Sequence, residues 1–445
     1  MTNNQFIELL HSELNSYIIV LIFILIFYYF MFGRNITHIA DPLAIGYVSQ
    51  AFSCSVVIFI FLEDRLDDDY FFSFLFTELA FLLPLVFMGA KYKMCYAEKI
   101  SNASLAKEWE ANYSIFYSTT LIIFIITTII YFLLAGIPVL NQVSRLDTNE
   151  SLGALSWFTD IYWICLPSLV IIKRYVFLRR RTTDYILISL CFLCLLAKGG
   201  KSDFFFMIIS LFLVKEIFQI RGLDKVVNYL SYISPLVIIS LMVIIFSVWN
   251  SKDSVLSAFF ERFVLFGDVF YHGYSKDFMQ SLPDNIYLWD YFFGGTINKI
   301  RSLLGMPIKE KVVFGYEISK YYYNISSGIG PNARHNILGL YLLGPYISII
   351  FSFLFGLAYL FIRSGKCLIN KSTSRYSLRV FFYVMSITYS CFFFVDPSLL
   401  LGFYLKILAV FSLPLLLSIL KKCLLYYIAN KSQCTHAVGN EDVIK

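Results

Sequence analysis

An arginine followed by a histidine, where a long hydrophilic stretch gives way to an apolar run, is the pair in this 445-residue chain best suited to chemistry. The segment Pro331-Asn332-Ala333-Arg334-His335-Asn336 closes the one large hydrophilic excursion, 250–335, and leads into an apolar helix predicted over 336–362. A cation beside a titratable imidazole is costly next to lipid unless it meets an anion or moves a proton. Asn332 or Asn336 could cap the helix, and the helix dipole adds positive potential at its start. Beside an anionic leaving group, Arg334 could hold the charge and a neutral His335 could act as general base. The plainer alternative is an interface anchor with a capping asparagine.

Two more cationic spots share that face in the topology argued below. The tight connector Lys198-Gly199-Gly200-Lys201-Ser202-Asp203 places two lysines at the start of a helix, a natural phosphate site. Its glycines allow close backbone approach, and Ser202 or Asp203 could cap. It is no P-loop, because Leu195 stands where that motif needs glycine. Lysines reaching lipid phosphates is the alternative. The other spot is Arg262, separated by ten residues from Gly273, with Tyr271 and His272 among them. Tyr321 and Tyr322 fall in an aromatic cluster with Trp289, Tyr291 and Phe293, suited either to stacking on sugars or to the membrane interface. Asp67, Asp68 and Asp69 have the ligand type for Mg²⁺, but no further carboxylate pattern supports a site, so metal independence is expected.

These groups need a scaffold, and composition says which kind. The chain is 58% hydrophobic and 15% charged, with mean hydropathy +0.70. That excludes an ordinary soluble domain, which is about 45–50% apolar and 25% charged. A spanning helix needs about 20 apolar residues. Eleven segments qualify: 16–32, 43–62, 70–90, 113–135, 151–172, 185–197, 203–219, 231–249, 336–362, 378–395 and 398–420. The fold expected is an all-α polytopic membrane domain, 1–445, of eleven spans (twelve being the alternative count), with one large loop over 250–335. Lys and Arg crowd connectors 91–112, 173–184 and 363–379 and the tail, which eleven spans put on one side, cytoplasmic by the positive-inside rule. The 250–335 loop and the acidic connector 63–69 then face outward. The formal charge of +6 is therefore a topology signal and gives no reason to expect nucleic acid.

Nine cysteines are scattered, none in the large loop, so no disulfide framework is indicated. Cys191 and Cys194 lie within an apolar run and read as packing residues. No internal repeat or low-complexity tract divides the chain.

His335-Asn336-Ile337-Leu338-Gly339, the later Gly344 and the long loop before them resemble the bacterial O-antigen polymerases (Wzy-type), within the O-antigen polymerase and ligase superfamily of GT-C-like fold. The interval from Arg262 to Gly273 is similar to an Arg-x10-Gly pattern of polymerase loops. The 198–203 turn lies where such proteins carry a Gly-Ser-Arg-Gly-like turn, with Lys201 here in place of the arginine. The resemblance implies an inner-membrane glycosyltransferase with a periplasmic loop and cytoplasmic C-terminus. It would transfer a growing glycan from undecaprenyl diphosphate to a lipid-linked repeat unit, with no cofactor. In that frame His335 and Arg334 are catalytic, Arg262, Lys198 and Lys201 bind diphosphate, and Tyr271, His272, Tyr321 and Tyr322 contact glycan. Partners would be undecaprenyl-diphosphate oligosaccharides, membrane lipid and a chain-length regulator. An O-antigen ligase using the same donor, or a flippase of the same lipid-linked glycan, are the competing readings.

Overall fold

The apolar runs become helices that show bare hydrocarbon to their surroundings. In a computed structural model the chain is described over residues 1–36, 38, 40–89, 94, 103–139, 141, 148, 151–179, 181–199, 201–223, 225, 229, 233, 265–283, 287–307, 313–325, 330–366, 368 and 377–439. All regular structure among them is helical. A short α1 (Asn3–Ser12) precedes α2 (Leu14–Phe32), α3 (Pro42–Leu62), α4 (Asp68–Met88), α5 (Ala103–Ala135), α6 (Leu155–Tyr175), α7 (Thr183–Lys198) and α8 (Lys201–Ile217). Four shorter helices follow: α9 (Asp268–Gly273), α10 (Lys276–Ser281), α11 (Leu288–Leu303) and α12 (Phe314–Tyr323). The chain ends with α13 (His335–Ser364), α14 (Leu378–Thr388), α15 (Phe392–Val395) and α16 (Pro397–Gly439).

On α2, Tyr17, Leu21, Ile24, Tyr28 and Phe32 are buried at helical spacing. Ile19, Phe23 and Phe30 on its other face are more than two-thirds exposed, a surface that only a bilayer covers comfortably. Eight described helices or helix pairs are long and apolar enough to span: Leu14–Asn35, Pro42–Leu62, Asp68–Met88, Asn112–Ala135, Leu155–Tyr175, His335–Ser364, Leu378–Val395 and Pro397–Lys421. The protein is thus a polytopic helical membrane protein. The segments expected at 185–197 and 203–219 form helices of 16 and 17 residues, about 24–26 Å long at 1.5 Å per residue, short of a 30 Å hydrocarbon core. The expected span 231–249 lies outside the described residues, apart from the single position 233.

Contacts show which helix ends lie together. Lys276 pairs with Asp67 at 3.3 Å, and the Tyr271 hydroxyl donates to Asn3 at 2.6 Å, so α1, the 63–69 turn and α9–α10 share one end. At the opposite end Arg363 clamps Asp41 with two bonds of 2.7 and 2.8 Å and donates to the Asn35 carbonyl at 3.1 Å. Asp41 also caps α3, whose first residue is Pro42, the pairing that starts a helix well. Helix α6, buried from 156 to 172 except at Phe158, is the central post of the bundle.

The segment read as one span over 336–362 is a hairpin. Gly344, at φ 77° and ψ 177°, reverses the chain. His335 Nδ1 then lies 3.0 Å from Ser352 Oγ, and a side chain added at Gly339 would sit 3.0 Å from Ser348. The first limb, 335–343, starts halfway along α4, where His335 stacks on Phe81 at 4.3 Å, and returns to the loop end, where the Tyr341 hydroxyl donates to the Pro283 carbonyl at 3.3 Å. The second limb runs the full way down to Arg363.

A second hairpin rises from the opposite end. Helices α14 and α16 are antiparallel: Tyr389 stacks on Phe403 at 4.6 Å and the Tyr404 hydroxyl reaches the Ser386 carbonyl at 2.8 Å. Their joint is the short α15 and Asp396, which caps α16 through Ser398 and Leu399 just before Pro397. The Phe394 ring lies against Phe81 and Tyr359, so this joint is inside the bundle.

Candidate functional site

The start of the first hairpin meets the joint of the second, and Arg334 is the fastener. Arg334 and His335 start a helix as expected, but the expected place at the membrane boundary is corrected: both are buried to within 1% beside the middle of α3 and α4. The extended limb 330–334 carries them there. Gly330 and Gly315 make this path possible, since a Cβ at Gly330 would fall 1.9 Å from the Gly315 carbonyl oxygen.

All three guanidinium nitrogens of Arg334 donate. Nε and one terminal nitrogen reach the Phe266 carbonyl at 3.3 and 3.0 Å, and that same nitrogen reaches the Ser49 carbonyl and hydroxyl at 3.3 and 3.1 Å. The other terminal nitrogen donates to Gln50 Oε1 at 2.8 Å and to the Phe394 carbonyl. These bonds use the five N–H groups of the fork. Arg334 therefore ties together α3, the turn Leu265–Gly267, the 330–334 limb and the tip of the second hairpin. That set leaves no donor for a diphosphate. A buried cation so satisfied acts as a structural joint.

Gln50 connects this joint to a carboxylate that sequence reasoning missed. Its Nε2 donates to Glu78 Oε2 at 2.6 Å, Asn336 donates to the same oxygen at 3.1 Å, and Tyr28 donates to Oε1 at 2.7 Å. Glu78 is 5% exposed. His335 Nε2 faces it from 3.7 Å, without a closer partner, across the gap from Asn336. The signal available in the sequence was a lone Glu78 within the otherwise uncharged run 70–90; intramembrane carboxylates are rare enough to single out on that ground.

The other expected site residues lie elsewhere. Lys198 is 2% exposed and held by Asp160, with Asp203 at 3.8 Å and the Trp163 ring at 5.8 Å. Its ammonium is an internal ion-pair partner joining α6, α7 and α8, which corrects its reading as a free phosphate ligand. Arg262 and the side chain of Lys201 lie outside the described residues.

Tyr271 and His272 are also corrected: they are 3% and 1% exposed and hold the N-terminal helix. Tyr271 stacks on Phe6 at 4.3 Å. His272 Nδ1 lies 2.8 Å from the Met1 carbonyl, while Nε2 lies 2.9 Å from Asn3 Oδ1 and 3.3 Å from the Tyr323 hydroxyl. Burial holds this imidazole down at about 4. The Tyr322 hydroxyl donates to the His272 carbonyl at 2.9 Å, whereas Tyr321, 47% exposed, presents its ring at the surface. Trp289 and Phe293 stack at 3.9 Å on α11, with Trp289 62% exposed. Among the described residues no three His, Cys, Asp or Glu side chains gather as metal ligands.

The structure thus brings Arg334, His335, Asn336 and Glu78 into one buried polar centre and leaves Lys198 in another, with no partner shared between them. No protein-family model, curated protein or solved structure matches the chain.

Proposed function

We propose that this protein is a surface-polysaccharide polymerase of the O-antigen type, a GT-C-like glycosyltransferase of the bacterial inner membrane with eleven spans. The observation that carries the reading is the re-entrant limb. It brings His335 beside a carboxylate within a lipid-facing bundle, under a loop rich in surface aromatics. In the reaction, the bond from the glycan's anomeric carbon to the diphosphate breaks, and the leaving diphosphate takes the electron pair. A hydroxyl of the next lipid-linked repeat unit forms the new bond and gives its proton to His335. The bond energy lies in the donor, so no nucleotide site is needed. The loop and its partners are read as periplasmic and the C-terminus as cytoplasmic, with Lys201 and Arg262 as the cations for the diphosphate. Tyr321 and Trp289 offer the open rings for sugar. A chain-length regulator is the expected protein partner, and no metal is required.

The test is complementation of a strain lacking the gene. Wild type restores a lipopolysaccharide ladder, and His335→Ala leaves one repeat unit at normal protein level. A full ladder with His335→Ala would overturn the assignment. Loss of every repeat unit in the deletion strain would instead indicate a ligase. A translocation reading draws on a specific feature, a short re-entrant limb meeting a helix joint inside the bundle, the kind of broken helix found at midplane sites of transporters. It predicts that the deletion strain retains lipid-linked repeat units on the cytoplasmic leaflet.

A further inference from the structure

The Glu78–His335 contact decides which atom of the imidazole is free to take a proton. Resting on the reading of His335 as the base, we infer that Glu78 is a positioning residue that keeps the hydrogen on His335 Nε2 and so makes Nδ1 the basic atom. The ring plane is fixed by the Phe81 stack, 4.3 Å away and inclined by 20°. Both oxygens of Glu78 receive hydrogens from neutral groups, Tyr28, Gln50 and Asn336, the pattern of an acceptor-only carboxylate. A lone pair on Nε2 would lie 3.7 Å from the lone pairs of Glu78 Oε2, whereas an N–H there lies within ionic reach of a carboxylate. The neutral imidazole carries one hydrogen, so Nδ1 keeps the lone pair.

Ser352 agrees with this assignment. Its hydroxyl lies 3.0 Å from Nδ1, can donate to it, and comes from the second limb of the same hairpin. An acceptor sugar hydroxyl that replaces the Ser352 hydroxyl would meet the basic atom directly. Glu78 sits on the far side of the ring, on α4, and never touches the acceptor. Closing 3.7 Å to a normal hydrogen bond takes a shift of about 0.5–1 Å, within what a binding event supplies.

The experiment is nitrogen NMR on the full chain, labelled with ¹⁵N-histidine and held in lipid nanodiscs. Five histidines are present, and the His335 signals are those missing from His335→Gln. The expected result is an Nε2–H tautomer in wild type that mixes or reverses in Glu78→Leu and returns in Glu78→Asp. An Nδ1–H tautomer in wild type overturns the inference without any variant having to fold, and so does a tautomer unchanged by Glu78→Leu. With purified lipid-linked repeat units, Glu78→Gln should lower kcat for chain extension by about 100-fold and change KM little. A full polymer ladder from His335→Gln would sink the functional reading alone, because the tautomer result is read without activity.

Discussion

The backbone N–H of Ala333 donates to Asp396 Oδ2 at 3.3 Å, which joins the start of the first hairpin to the joint of the second. Asp396 already caps α16 through Ser398 and Leu399, so one carboxylate starts a helix and holds the opposing limb. Arg334, one residue on, grips the Phe394 carbonyl from the other direction. The middle of the bundle is therefore an interlock whose parts come from four separate stretches of sequence.

The first prediction concerns this interlock. Arg334→Lys keeps the charge but loses the planar fork, so carbonyls of Phe266, Ser49 or Phe394 are left without a donor. Stability should fall by on the order of 3 kcal/mol, the range for a broken buried charge network. Thermal unfolding in detergent checks this. Wild-type stability with a lost ladder would show that Arg334 serves the substrate instead.

Gly344 is predicted to be intolerant of any side chain. Its φ of 77° and ψ of 177° belong to a region that only glycine occupies freely. Gly344→Ala should cost about 1–3 kcal/mol and shorten the polysaccharide ladder, though the added methyl meets no neighbour within 4 Å. An unaltered ladder and unfolding temperature would mean that the limb 335–343 can straighten.

At the opposite end, Arg363→Ala strands the buried Asp41 carboxylate and should destabilise the protein by about 3–5 kcal/mol. Adding Asp41→Asn should recover part of the loss, because the uncompensated charge goes with it. A double variant as unstable as the sum of the two single variants would argue against direct coupling.

Acid should loosen the loop end. Burial holds His272 at about 4, below an ordinary value near 6.5, so the unfolded chain binds the proton more readily. The contribution is complete above about pH 6.5 and is lost as pH falls from there toward 4, to a total on the order of 3 kcal/mol. Hydrogen exchange of α1 and α9 across that range checks it, with His272→Gln expected to flatten the dependence.

Hydropathy made the helices legible, since their exposed faces are apolar and their length is set by a bilayer. The depth of Arg334 was not legible. A run of apolar residues looks the same whether it crosses once or folds back at Gly344, because both paths bury the same side chains. One cue was present: 378–395 and 398–420 left only two residues to connect them, and Asp396-Pro397 repeats the Asp41-Pro42 helix start. Glu78 was overlooked because a single carboxylate has no spacing to read. Tyr271, His272 and Lys198 misled for the reverse reason. Their types suit ligand binding, but their partners, Met1, Asn3, Asp160 and Asp203, come from elsewhere in the chain and become visible only on folding.

The interlock also bears on how the chain is made. Arg334 leaves the ribosome some 60 residues before the Phe394 carbonyl it needs, and Asp396 follows later still. Until then the 330–343 limb has a guanidinium without its full set of acceptors, at a cost in stability. Insertion is therefore expected to be completed here only when the segment reaching Asp396 arrives, and chains stopped before α15 should be cleared faster than the full chain.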